Sequence, residues 1–241
     1  MSDLSGKKRI AVLTVALVLC AAAAAAGIHA WLHRLRPVSG ITSVRAVAVG
    51  DRLTFGVYEQ DGQAANGAEP IEWRVLDKKD GMVLLLAEKL LDYQRYNDRY
   101  IPMTWEDCTL RAWMNGTFFQ TAFSEAERER IALTAVDNPP SVLYGTNGGH
   151  PTEDRIFALS YEEARRYFAS DRDRKAVTTE AAHAKANGVD NFGHTGFWWL
   201  RSPGNLDRRA ACVNGYGYVV PLGSQVSDKA VAVRPALWLR L

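Results

Sequence analysis

The residue types that could do chemistry are scattered along this chain. His150, His183 and His194 lack the two- or four-residue spacings that bring imidazoles onto one metal, so each reads as a loop or surface side chain. A calcium loop needs alternating oxygen donors, and "YND" (96–98) and "VDN" (189–191) are only fragments of one. Neither a GxSxG elbow nor an SxxK serine occurs. Ser202, between Arg201 and Pro203, reads as a strand-to-turn junction rather than an activated hydroxyl. The adjacent carboxylates Glu106–Asp107 and Glu162–Glu163 fall at helix starts, where negative charge complements the macrodipole. "YGTNGGHPTEDR" (144–155) matches neither phosphate-binding fingerprint and reads as an exposed loop of the kind that carries binding. "NGT" at Asn115–Thr117 is a formal glycosylation sequon at a helix end. These residues lead us to expect no catalytic residue, no metal and no cofactor.

Two strings combine arginine with tryptophan: "GFWWLRSPG" (196–204) and "VAVRPALWLRL" (231–241). In a strand, Trp198 and Leu200 face one way while Trp199 and Arg201 face the other. If both faces are covered, Arg201 needs a carboxylate or carbonyl partner, because a lone buried charge costs several kcal/mol. Arg234 makes the same demand. Trp198, Trp199, Arg201, Arg234 and Trp238 are therefore read as structural, two arginines tying strand ends between packed tryptophans.

The elements that would hold these residues are legible in pattern. "RLTFGVY" (52–58) alternates as a strand does. Ile71, Trp73 and Val75 share a face, a Lys-Lys-Asp-Gly turn follows, and Met82 to Ala87 return, which predicts a hairpin. Thr104 reads as the N-cap of a helix with an acidic first turn, and Leu110, Trp113 and Met114 share a helical face. Ser124 with Glu127, and Ser160 with Glu163, form capping boxes, the second opening a helix with Ala164, Tyr167 and Phe168 on one side. "TTEAAHAKANG" ends on Gly188, as helices often do. Strand signals return from Phe197. Strands, then helices, then strands, without βαβ alternation, predict an α+β fold.

The amino end sets the compartment. Lys7, Lys8 and Arg9 precede an apolar run from Ile10 to Leu32, long enough to cross a bilayer. The expected plan is a cytoplasmic tail (1–9), one transmembrane anchor (10–32), a linker (33–50) and an extracytoplasmic domain (51–241). A cleaved signal peptide and lipidation at Cys20 are the rivals. Beyond residue 32, acidic and basic residues balance one for one, which removes the basic footprint a nucleic-acid partner requires. Cys108 and Cys212 are far apart and outside any CxxC spacing. A bridge is permitted outside the cytoplasm, but two separate buried thiols are the favoured reading.

"PIEWRVLD", "LLLAEKLLD", "LRAWMNGTFFQTAFSEAE", "RIFALSYEEARRYF", "WWLRSPG" and "VRPALWL", in this order, resemble a widespread bacterial domain family of no assigned function. That family is in turn distantly similar to the C-type-lectin-like fold, which includes formylglycine-generating enzymes. The resemblance implies a lectin-like mixed domain with small antiparallel sheets and several short helices, its first and last strands side by side. It also implies a binding face built from late loops, with Asn205, Asp207, Arg208, Asn214, Tyr216 and Tyr218 as the ligand-contacting candidates. The enzymes of that fold hold copper on paired cysteines near the carboxyl end, where this chain has Cys212 alone. The expectation is a membrane-anchored, non-catalytic module that binds a glycan, cell-wall or protein ligand. An oxidase or hydrolase, and an envelope assembly component, are the alternatives.

Overall fold

The computed structural model describes residues 35–186 and 194–241. The expected anchor (10–32), the "VDN" fragment and Gly188 lie outside them. No helix among the described residues is long and apolar enough to cross a membrane.

Twelve strands occur among the described residues: β1 (Arg36–Pro37), β2 (Arg52–Tyr58), β3 (Glu69–Lys79), β4 (Met82–Ala87), β5 (Asp92–Tyr93), β6 (Thr134–Val136), β7 (Thr152–Asp154), β8 (Phe197–Pro203), β9 (Arg209–Val213), β10 (Val219–Gln225), β11 (Val231–Val233) and β12 (Ala236–Arg240). One sheet has the order β1-β2-β3-β4-β12, a second β10-β9-β8-β11-β5, and β6 pairs with β7 alone. With short helices between the strand groups, this is the expected mixed α+β architecture. The sheets are not purely antiparallel, since β1 runs parallel to β2 and β11 parallel to β8.

The predicted hairpin is β3–β4. Ile71, Trp73 and Val75 are fully buried, and the chain reverses through Asp80 (φ 51°) and Gly81 (φ 77°). Both angles are positive, as a two-residue turn matched to strand twist requires.

Two crossings bind the sheets into one core. The chain leaves β4 in the first sheet for β5 in the second, and leaves β11 in the second for β12 in the first. Pro235 separates β11 from β12, and its missing N–H ends the ladder there. The crossings touch: Ala87 N–H donates to Pro235 O (2.9 Å) and Leu91 N–H to Val233 O (3.0 Å). Arg234 locks them, donating through Nε to Ala87 O (2.8 Å) and through Nη2 to Glu88 O (3.3 Å).

Three expectations need correction. Residues 33–50 are not a free linker from Arg36 onward: β1 joins the sheet, and Val38, Ile41 and Val47 are buried. Their apolar positions are too irregularly spaced to show a period. Thr104 caps no helix; the cap is Cys108, whose Sγ accepts Arg111 N–H at 3.4 Å. The helix then runs Thr109–Trp113, widens into a π-turn over Met114–Phe118, and continues as Phe119–Ala122. Finally, the closing strand β12 lies beside β4 rather than β2. Both capping boxes form as expected, at Ser124–Glu127 and Ser160–Glu163.

Candidate functional site

The six expected ligand contacts do not form one face. β8, β9 and β10 make a meander in which Trp198 pairs with Val213 and Pro203 with Ala210, while Val219 pairs with Val213 and Gln225 with Arg209. The loop bearing Asn205, Asp207 and Arg208 closes one end of this meander, and the loop bearing Asn214, Tyr216 and Tyr218 closes the other. About five residues of strand separate them, roughly 17 Å, so they cannot share a small ligand.

Each loop also has local duties. Asp207 O accepts Met103 N–H at 2.8 Å, and the Arg208 guanidinium lies 5.7 Å from the Tyr100 ring centre. Asn205 N–H reaches Leu222 O at 3.2 Å. At the other end, Asn214 Oδ1 accepts the N–H groups of Tyr216 and Tyr218, both at 3.0 Å, which is turn chemistry. Tyr216 and Tyr218 are exposed, and Lys175 Nζ stands 5.9 Å from the Tyr216 ring.

The tryptophan–arginine strings lie largely within the packed interior. Trp198 and Trp199 are fully buried, so both faces of β8 are covered. Arg234, 1% exposed, has carbonyl partners, adding Arg174 O at 3.0 Å. Its guanidinium is flanked by Trp198 (5.1 Å) and Phe168 (5.7 Å). Burial pushes its pKa down to about 9, against the opposing field of Glu88. Trp238 is only half-buried against the core.

Arg201 has the carboxylate that its burial demands. It is 5% exposed and forms a forked pair with Glu163, Nη1 to Oε2 at 2.5 Å and Nη2 to Oε1 at 3.0 Å. Nη1 also donates to Ala158 O (3.0 Å) and Nε to Asp137 O (3.2 Å). Glu163 is the N3 residue of the capping box, its Oε2 also accepting Ser160 N–H at 2.8 Å. Ser202 Oγ accepts the first N–H of the same helix, from Tyr161, at 3.0 Å. The carboxylate read only as a helix-start charge is thus also the arginine's partner.

Beside this pair opens a cleft of about 240 Å³, lined by Ala135, Asp137, residues 139–143, 160–163 and 201–203, and Pro221. Its floor is polar and its walls include Pro139, Pro140, Pro203 and Pro221. On its rim Val142 is 71% and Leu143 56% exposed. A concave surface with apolar walls and a few fixed polar groups is the usual form of a ligand site. Sequence reasoning missed it because its parts come from four separated stretches; the pair of exposed apolar residues after Pro139–Pro140 was the one local signal.

Two other buried carboxylates were not anticipated. Asp154, fully buried, accepts Trp105 Nε1–H (2.8 Å), Arg111 Nε–H (2.6 Å) and Thr152 Oγ–H (2.8 Å). Asp92, 1% exposed, accepts Tyr58 Oη–H (2.6 Å) and Lys185 Nζ–H (2.8 Å). Both clamp loops to the sheets. Asn115, the sequon residue, is held by the backbone of 155–156, its Oδ1 accepting two N–H groups and its Nδ2 donating to Ile156 O.

Neither cysteine is bridged. Burial pushes the thiol of Cys108 up to about 12 and that of Cys212 up to about 11, so neither is a thiolate at neutral pH. Tyr96 and Asn97 of "YND" are buried in the core. The carboxylates that do converge are Glu59, Asp61 and Glu69, with oxygens within 4.8 Å of one another. They already accept the backbone N–H groups of Gln60, Gly62 and Gln63. His183 and His194 come together, ring centres 6.3 Å apart, and His150 Nδ1 lies 2.9 Å from Glu106 Oε2.

Residues 80–241 match the family described as Domain of unknown function (DUF6273), and the chain belongs to that family. No curated protein and no solved structure matches it.

Proposed function

We propose that this DUF6273-family chain is a membrane-anchored, extracytoplasmic binding module without catalytic activity, and that the cleft over Arg201 and Glu163 is its site. One observation carries the reading: an ion pair between buried Arg201 and half-buried Glu163 lies at the floor, while apolar side chains at the rim stay exposed. A floor so fixed suits recognition, and exposed apolar residues beside a cavity suit a surface that is covered on binding. Protonated, buried thiols favour binding over cysteine-based oxidation. Anchoring rests on the apolar run 10–32 after Lys7, Lys8 and Arg9. The lectin-like relation remains part of the proposal, supported by the late β8–β10 meander and opposed by the position of β12 beside β4.

The test uses the full chain in lipid nanodiscs against glycan, peptidoglycan and peptide arrays. Saturable binding that is lost in the Val142→Asn/Leu143→Asn variant supports the cleft. Binding untouched by that variant, or protection of the folded domain from protease added to intact cells, sinks the proposal.

A further inference from the structure

We infer that the cleft receives the side chain of a lysine presented by a peptide, its aliphatic stem along the proline walls and its ammonium facing Asp137 and Glu162. This rests on the cleft being the binding site.

The charges of the floor are paired with each other. Glu163 Oε1 and Oε2 both accept from Arg201, and Oε2 also from Ser160 N–H. Arg201 donates further to Asp137 O and Ala158 O. Asp137 and Glu162 are exposed, line the cavity, and have no ion-pair or side-chain hydrogen-bond partner among the described residues. The neighbouring cation on the same helix, Arg165, stacks over the Tyr161 ring at 5.3 Å rather than pairing with Glu162. The cleft therefore presents two unpaired carboxylates.

Its four prolines supply apolar wall without backbone N–H groups. An ammonium has three donors and no acceptor, which fits two carboxylates that have no partner of their own. An anion would meet like charge there. The methylene stem of lysine packs along apolar surface while its head stays with the polar groups, and here apolar wall and exposed carboxylates adjoin.

The experiment is fluorescence anisotropy of labelled peptides with the full chain in nanodiscs. The probes are a pentapeptide with a central lysine, the same peptide with Nε-acetyl-lysine, one with glutamate, and a neutral oligosaccharide. The lysine peptide should bind at least tenfold more tightly than its acetylated form. Asp137→Asn and Glu162→Gln should each weaken it about fivefold, the upper end for exposed charge pairs. Raising salt from about 0.1 to 1 M, where the screening length falls from about 10 to 3 Å, should weaken it comparably. Circular dichroism melts check that these surface variants fold. Equal binding of lysine and acetyl-lysine peptides, or affinity unmoved by the double Asp137→Asn/Glu162→Gln variant, overturns the lysine assignment. If the oligosaccharide binds and Val142→Asn/Leu143→Asn abolishes that binding, the cleft stands and the lysine falls. If no probe or array component binds, both fall.

Discussion

Glu163→Gln isolates the charge of the Arg201–Glu163 pair while keeping the volume of the side chain. The variant leaves a guanidinium that is 5% exposed facing a neutral amide. Removing one partner of a buried pair costs about 3–5 kcal/mol, mostly because the other charge stays uncompensated. Glu163 retains some solvent contact, 28% of its side chain, which favours the lower end, about 3 kcal/mol. For a domain of this size that moves the melting temperature by on the order of 10 °C. Two companions separate the contributions. Ser160→Ala removes the hydroxyl that caps Glu163 N–H (3.0 Å) and leaves the ion pair, so it should cost about 1 kcal/mol. Arg201→Met with Glu163→Gln removes both charges and should recover most of the single-variant loss, since apolar replacement of a whole buried pair is often neutral. Urea denaturation of these variants and of the Arg201→Met single at neutral pH gives the double-mutant cycle. A coupling energy under about 0.5 kcal/mol, or a Glu163→Gln variant as stable as the parent, would refute the claim that this pair holds β8 to the 161–166 helix.

Three more outcomes follow from the geometry. At Gly217 (φ +90°) an added Cβ would stand 1.7 Å from Asp171 O, so Gly217→Ala should destabilise by more than about 2 kcal/mol; Gly81→Ala, with φ +77° and open space, should cost only about 1 kcal/mol, and equal losses in urea melts would contradict this contrast. His150 is raised above its ordinary 6.5 by the hydrogen bond and charge of Glu106, so the pair is held below that raised pKa and lost as pH rises through it. The His150 ring proton followed by NMR should titrate above 6.5 and return towards it in Glu106→Gln; an unmoved titration would exclude the contact. Cys108 and Cys212 should resist Ellman's reagent in the native protein at pH 8 and react after urea unfolding; fast native reaction of either would refute their burial.

What the sequence disclosed depends on the range of the interaction. The β3–β4 hairpin and both capping boxes were readable because turn and cap are local, decided within four residues of Asp80, Ser124 or Ser160. The covered faces of β8 were readable from a run of bulky residues that no half-exposed strand would carry. The packing of Val38, Ile41 and Val47 was not, because their spacing matches neither a helix nor a strand. The cap at Cys108 escaped because a thiol is a poor and rarely used cap. Asp154 looked like a loop carboxylate, and its partners Trp105 and Arg111, forty-nine and forty-three residues away in sequence, show why it is buried. The two late loops were grouped because both are polar and close in sequence, yet a meander of short strands sends alternate loops to opposite ends.

The role of Arg201 constrains how the cleft can work. Its guanidinium is committed to Glu163 and to two carbonyls, so a ligand that recruited it would have to break a buried pair and uncap the 161–166 helix. The cost, by the reasoning above, is comparable to a substantial part of the affinity of a small ligand. On the proposed reading, recognition falls to the exposed carboxylates of Asp137 and Glu162 and the apolar rim at Val142 and Leu143. The tryptophan–arginine strings build the scaffold beneath the cleft. If the cleft is the site, substitutions in the 135–143 stretch and at the start of the helix at Tyr161 should change what is bound without changing the fold.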